Sequence, residues 1–318
     1  MYLVFALLVG CGSSDREGDD AGECTDGADN DQDGDFDCDD DDCEASPDCE
    51  GGDDDDDDDV VAPPVPDEFG DLLVYLYTWF DNPTARRDAI AALEPLMLAF
   101  DVTQDFDDRA YRDGALLDAT ATAAVTVPDG VDAMDQQMVG LVYNSPVDLE
   151  THVSGMVDPN QVCLESDSVK YHNRTFVSDA SCFANAGCNE LATTAESRRE
   201  TALEKIWSDP VVDFYRLQHD GRSVVVARGH LPEVAVDDNN QNERLQDFEL
   251  SIWIESSTDP SETLRMTAHW FELNIGGVGD DFALDLLLTG IEDRFLVSDD
   301  FLEGGVCAND RAYDPVRE

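Results

Sequence analysis

"VVDFYRLQHDGRSVVVARGH" (Val211–His230) alternates apolar and polar side chains, breaks once at His219-Asp220-Gly221, and then alternates again. A period of two over eight or nine residues marks a half-buried strand. An Asp-Gly pair between two such runs marks a hairpin, because both central turn positions need positive φ. Two further runs follow, "DFELSIWIE" (Asp247–Glu255) and "TLRMTAHWFELNI" (Thr263–Ile275). In the first of these Phe248, Leu250, Ile252 and Ile254 share one face, and Asp247, Glu249, Ser251 and Glu255 share the other. One apolar and one polar face predict an antiparallel sheet with helices on one side only.

Working outward, Phe69, Leu72, Leu73, Leu76 and Phe80 follow helical spacing. Asn82-Pro83 breaks that helix and caps a second, "TARRDAIAALE", which Pro95 ends or kinks. Short strands are expected at Ala123–Val127 and Val139–Tyr143. Thr193 with Glu196 reads as a capping box for a helix running to about Trp207. "DFALDLLLTGIEDRFL" (Asp281–Leu296) predicts a C-terminal helix with Gly290 as its weak point. The expected fold class is therefore α+β, an antiparallel sheet with N-terminal and C-terminal helices. "GGVG" (Gly276–Gly279) reads as a turn.

Charge divides the chain. Through Pro66 there are 25 acidic residues and one basic one, Arg16; the remaining 252 residues carry 49 acids against 17 bases. The first part has too few aromatics to bury a core, whereas the second has the Leu, Val, Phe and Trp content of a globular domain. A formal charge of −56 repels nucleic acid and anionic headgroups and suits divalent cations. Three segments follow: a leader at 1–11, an acidic Cys-rich module and linker at 12–66, and the α+β domain at 67–318. Seven consecutive aspartates (Asp53–Asp59) and the Pro-rich "VVAPPVP" form a solvated, extended linker, because no glycine turn gathers those carboxylates.

Tyr2–Gly10 is apolar but too short to span a bilayer. Leu8-Val9-Gly10-Cys11 resembles the lipobox of exported bacterial lipoproteins, although the usual basic residues before it are missing. The resemblance implies that Cys11 is acylated, that the membrane is contacted through this lipid, and that the protein resides at the outer membrane or cell surface. A chance apolar start is the alternative. Without Cys11, the other eight of the nine cysteines divide four and four across Pro66, which favours two disulfides in each half of an exported chain. Cys182 and Cys188 would close a short loop.

"DNDQDGDFDCDD" (Asp29–Asp40) places Asp29, Asp31, Asp33, Asp35, Asp37 and Asp40 around the bend that Gly34 permits. Alternate oxygen ligands about a glycine turn are how loop sites hold calcium. The Asp29–Asp40 window is similar to thrombospondin type 3 calcium repeats and, with Cys24–Asp31 before it, to Asp-rich segments of exported bacterial lipoproteins, a resemblance that covers about 27 residues of the acidic module. Calcium is the cofactor this resemblance implies, and the alternative is a purely solvated spacer.

In the globular part there is no H-E-x-x-H, G-x-S-x-G, Walker loop or dinucleotide fingerprint. Arg216, Arg228, Arg265 and His269 lie on strands. If their faces coincide, they line a concave surface able to hold an anionic or amphipathic ligand. Otherwise they face solvent and offset acids such as Glu249 and Glu272. The element order is also that of a START-like helix-grip fold, which closes a curved sheet over a hydrophobic ligand, or of a nuclear-transport-factor-like cone. The functional expectation is a lipid-anchored, exported calcium-binding protein whose globular domain binds a small or amphipathic ligand or a protein partner. A hydrolase with an unrecognised active site is the alternative.

Overall fold

The computed structural model describes residues 62–100, 110–112, 115–129, 136–201, 205–239, 241–275, 280–307 and 309–313. Cys11, the Asp29–Asp40 window and "GGVG" lie outside the described residues. The chain divides into two units at Val61/Ala62, and every described residue belongs to the second, Ala62–Glu318.

Among the described residues ten strands form one sheet: β1 (Ala110–Tyr111), β2 (Gln137–Ser145), β3 (Val169–Phe176), β4 (Glu190–Glu200), β5 (Lys205–Ser208), β6 (Val211–His219), β7 (Arg222–His230), β8 (Ala235–Val236), β9 (Asn242–Glu255) and β10 (Thr263–Ile275). Their order is β1-β2-β10-β9-β7-β6-β4-β3, with β5 beside β4 and β8 beside β9. Every pairing is antiparallel. Asp220 and Gly221 take φ of 50° and 72°, so the β6–β7 turn is the two-residue hairpin its sequence predicts. The helices are α1 (Phe69–Thr78), α2 (Pro83–Ala99), α3 (Leu149–Met156), α4 (Ala180–Ala184) and α5 (Asp280–Leu302), with a short 3-10 turn at Gln161–Leu164.

Register fixes the two faces. Val142, Met266, Ile252 and Val226 stand in one row across four strands. This face is covered by α1 and α2 through Leu72, Leu73, Leu76, Ile90 and Leu93, all fully buried. Asn82 caps α2 by accepting from the Ala85 N–H at 2.9 Å. Pro95 neither ends nor begins anything: α2 continues through it to Ala99. Burying this apolar layer is the main stabilising term of the fold, at ~25 cal/mol per Å² removed from water.

The expectation of helices on one side is corrected. The opposite face, with Leu141, Thr267, Ser251, Ala227 and Phe214 in a row, is also covered. Leu288, Ile291 and Phe295 of α5 pack on Val139, Leu141 and Phe271. Leu149, Val153 and Met156 of α3 pack on Phe214, Val225 and Ala227. Polar residues of this face therefore point into the protein. A second correction concerns the helix expected from Thr193 to Trp207: its described residues up to Glu200 belong to β4 and those from Lys205 on to β5. Leu191, Thr193 and Ala195 alternate inward, and the Thr193 hydroxyl donates to the Val212 carbonyl across the sheet at 2.9 Å instead of capping a helix. Pairing on both sides of β4 outweighs a local capping pattern. A third concerns Ala123–Val127, which is turn and coil; β2 contains the other expected strand. Cys163 pairs with Cys307 and Cys182 with Cys188, so the domain carries two disulfides.

Candidate functional site

Between the second sheet face and the layer formed by α3, the 3-10 turn and α5 lies a cavity of about 200 Å³. Part of its wall is apolar: Met156, Ile206, Val212, Phe214, Leu231 and Ile291. The rest is charged, and five arginines against three carboxylates line it. In a domain so acidic, that balance inverts the local sign.

Most of these charges are already committed to one another. Arg294 of α5 grips the Glu249 carboxylate with both terminal nitrogens, at 3.0 and 3.1 Å. Burial alone would raise the Glu249 carboxyl, but Arg294 and His269 beside it hold it well below the usual carboxylate range. His269 directs Nδ1 at Asp247 (3.1 Å) and Nε2 at Glu249 (3.4 Å). Arg244 pairs with Asp247 at 2.6 Å. Arg265 donates to Asp299 at 2.8 Å, and burial lowers its pKa to about 10. Glu165 faces His172 Nδ1 at 3.5 Å. Burial pushes the Glu165 carboxyl up and depresses the His172 imidazole to about 3, with Arg174 and Arg294 adding to the latter.

Arg174 is different. Its Nη1 donates to the Met156 carbonyl at 2.7 Å, and its guanidinium stacks 5.1 Å from the Phe214 ring centre. Its Nε is buried with no partner, as are the Trp253 indole N–H and His172 Nε2. All three residues line the cavity. Buried polar groups in native proteins are nearly always satisfied by protein, water or ligand.

The four strand residues singled out in the sequence are all buried, at 8, 4, 5 and 8% exposure for Arg216, Arg228, Arg265 and His269, so none faces solvent. Their faces coincide only in part. Arg265 and His269 line the cavity. Arg216 shares their face but is taken up by the Phe183 carbonyl (3.0 Å) and Glu150. Arg228 points to the opposite face, where it pairs with Asp81 at 2.9 Å and stacks over Phe80. Its register partner is Leu250, a residue of the apolar face. Arg174, Glu165, His172, Trp253 and Arg294 were not anticipated. Two of them had a readable signal: in β3, His172 and Arg174 alternate with exposed Asn173, and in α5, Leu287, Ile291, Arg294 and Ser298 recur at helical spacing.

One buried cluster has the composition of a nucleophilic triad, Ser145, His152 and Asp299. Ser145 Oγ lies 2.9 Å from His152 Nε2, and Asp299 approaches that same nitrogen at 3.9 Å. A relay needs serine and acid on opposite ring nitrogens. Ser145 Oγ is also used by the Val147 N–H at 3.2 Å. The cluster ties β2, α3 and α5 together and does not present a nucleophile. Among the described residues no group of three or more His, Cys, Asp or Glu is arranged to hold a metal ion. Nor is any helix among them long and apolar enough to cross a membrane.

No protein-family model and no curated protein sequence matches the chain. Among solved structures it is similar to a START superfamily protein from Mycobacterium smegmatis, at 11% identity over 52% of this chain and 97% of that one, with a TM-score of 0.34. It is similar also to a STAR-related lipid transfer protein fragment from Xanthomonas axonopodis, at 9% identity over 55% and 89%, TM-score 0.36. A third is the Zhui aromatase/cyclase of a Streptomyces, at 13% identity over 54% and 99%, TM-score 0.33. Likeness at this level concerns the arrangement of strands and helices alone, and the chain is α+β with an antiparallel sheet held between N-terminal and C-terminal helices.

Proposed function

We propose that the domain is a binding module that encloses one small amphipathic molecule between its sheet and α5. The observation that carries this reading is the cavity, whose wall combines apolar side chains with charged ones. Its volume, about 200 Å³, compares with the roughly 150 Å³ that takes a benzene ring. It suits one or two rings or a short acyl group. The charged wall would penalise a purely hydrocarbon ligand by leaving its polar groups unpaired. We further propose that Cys11 carries lipid and that Asp29–Asp40 binds calcium, so that the module is displayed from a membrane on an acidic stalk. The lipobox-like start and the Gly34-centred carboxylate spacing support this part.

Native mass spectrometry of the full chain, purified in mild detergent, tests the binding reading. The expected spectrum contains a second species heavier by the mass of one small molecule, which denaturing conditions remove. A spectrum of bare polypeptide alone, unchanged after incubation with a bacterial small-molecule extract, would overturn it.

A further inference from the structure

Arg174 is the one cavity arginine whose only hydrogen-bonding partner among the described residues, for its side chain, is a backbone carbonyl. No carboxylate among them lies within ion-pair distance of it, and the residue is 9% exposed. Burial lowers its pKa only to about 10, so it remains cationic at neutral pH. A buried guanidinium without an anion is a costly arrangement. The nearest acids, Glu165 and Glu249, ease this cost through space, but neither hydrogen-bonds Arg174: Glu249 is gripped by Arg294 and Glu165 faces His172.

Nη1 is occupied by Met156, which leaves the edge formed by Nε and Nη2. That edge presents two parallel N–H groups, the geometry that matches a planar carboxylate. The Trp253 indole N–H is a second unpaired donor of the same cavity, and Trp253 packs on the cluster that contains Phe214 and Met156, the residues Arg174 touches. Both donors line the same cavity, as does Phe214 of its apolar wall.

We propose that the ligand is a small amphipathic carboxylic acid, its carboxylate seated on the Nε–Nη2 edge of Arg174, with the Trp253 N–H a further donor of the same cavity. Its hydrocarbon part lies against Ile206, Val212, Phe214 and Leu231. This inference rests on the binding reading above and adds the sign and chemistry of the ligand's polar group.

The test uses the full chain and two probes of equal shape, 2-naphthoate and 2-naphthamide, titrated by calorimetry at pH 7.5. The wild type is expected to bind naphthoate at least tenfold more tightly than naphthamide. In Arg174→Gln the naphthoate affinity falls at least tenfold and the naphthamide affinity stays, with the near-ultraviolet circular dichroism unchanged. Equal affinity of the wild type for both probes would overturn the carboxylate seat, because Glu165 or water would then be satisfying Arg174. That result would leave the binding reading standing. Binding of neither probe would overturn both. Since Arg174 also holds the Met156 carbonyl, the wild-type comparison decides the matter even where the variant does not fold.

Discussion

His152 offers a sharp test of how the interior handles charge. Its imidazole is buried against Ser145 Oγ at 2.9 Å, and the groups facing it are Arg265 and Asp299, themselves paired at 2.8 Å. Burial, with Arg265 adding to it, depresses the His152 pKa to about 2. The folded protein therefore leaves this histidine neutral at pH 5, whereas the unfolded chain protonates it with a pKa of about 6.5. A folded value below the unfolded one means the unfolded state binds more protons, so stability is lost as pH falls through 6.5. Between pH 7.5 and 5 the loss is set by the unfolded value alone, provided the folded value stays below the assay pH. It amounts to about 1.5 units at ~1.36 kcal/mol each, or about 2 kcal/mol from this one residue. His172 and His230, depressed to about 3 and about 4, act in the same direction. Glu165 and Asp299, both raised by burial, oppose them. A comparison of His152→Gln with the wild type cancels those common contributions. Urea unfolding followed by circular dichroism at pH 7.5 and 5 should show the wild type losing about 2 kcal/mol more than the variant. Equal losses would refute the reasoning, since His152 would then take a proton inside the fold with Asp299 as its counter-ion.

Removing one partner of the Arg294–Glu249 pair should strand a charge in the interior. Arg294→Met is expected to cost about 3 kcal/mol, the low end of the range for buried pairs, because the two side chains keep 20% and 28% exposure. Urea midpoints measure this, and Glu249→Gln in the same chain should recover part of the loss; no recovery would mean that the pair is not what Arg294 contributes. For the stalk, calorimetric titration of the full chain should give calcium binding with Kd of about 10⁻⁴–10⁻³ M. Replacing Asp31 and Asp33 by Asn should abolish the heat, and a wild-type chain that gives none would end the calcium proposal.

What could be read ahead of the structure follows the range of the interactions involved. The β6–β7 hairpin was legible because everything it needs is local: alternation on both arms and an Asp-Gly pair whose positive φ values of 50° and 72° few other residues accept. Helix α1 was legible for the same reason, since its apolar stripe repeats within ten residues. Strand β4 was misread because its local signal, Thr193 with Glu196, is a helix signal. The deciding contacts lie with β3 and β6, and they are invisible to a short window.

The sequence left open whether Arg265 and His269 line a concave surface or face solvent, and the polar face of β9 pointed to solvent for a physical reason that can be stated more generally. Asp247, Glu249 and Ser251 alternating against Phe248, Leu250 and Ile252 look like a sheet face turned to water, and that rule assumes that polar means solvated. Here the complement of the polar face sits on another element: Arg294 lies on the inward stripe of α5 with Leu287, Ile291 and Ser298, and it meets Glu249 from above. An arginine on the apolar stripe of a long helix is a sign that the surface beneath carries charge, and one charged strand face is its natural partner. Applied to residues 287–298, that test would have turned the polar face of β9 inward. Arg265 and His269, one strand over on β10, share that face, so the same test favours the concave-surface reading of them over the solvent-facing one.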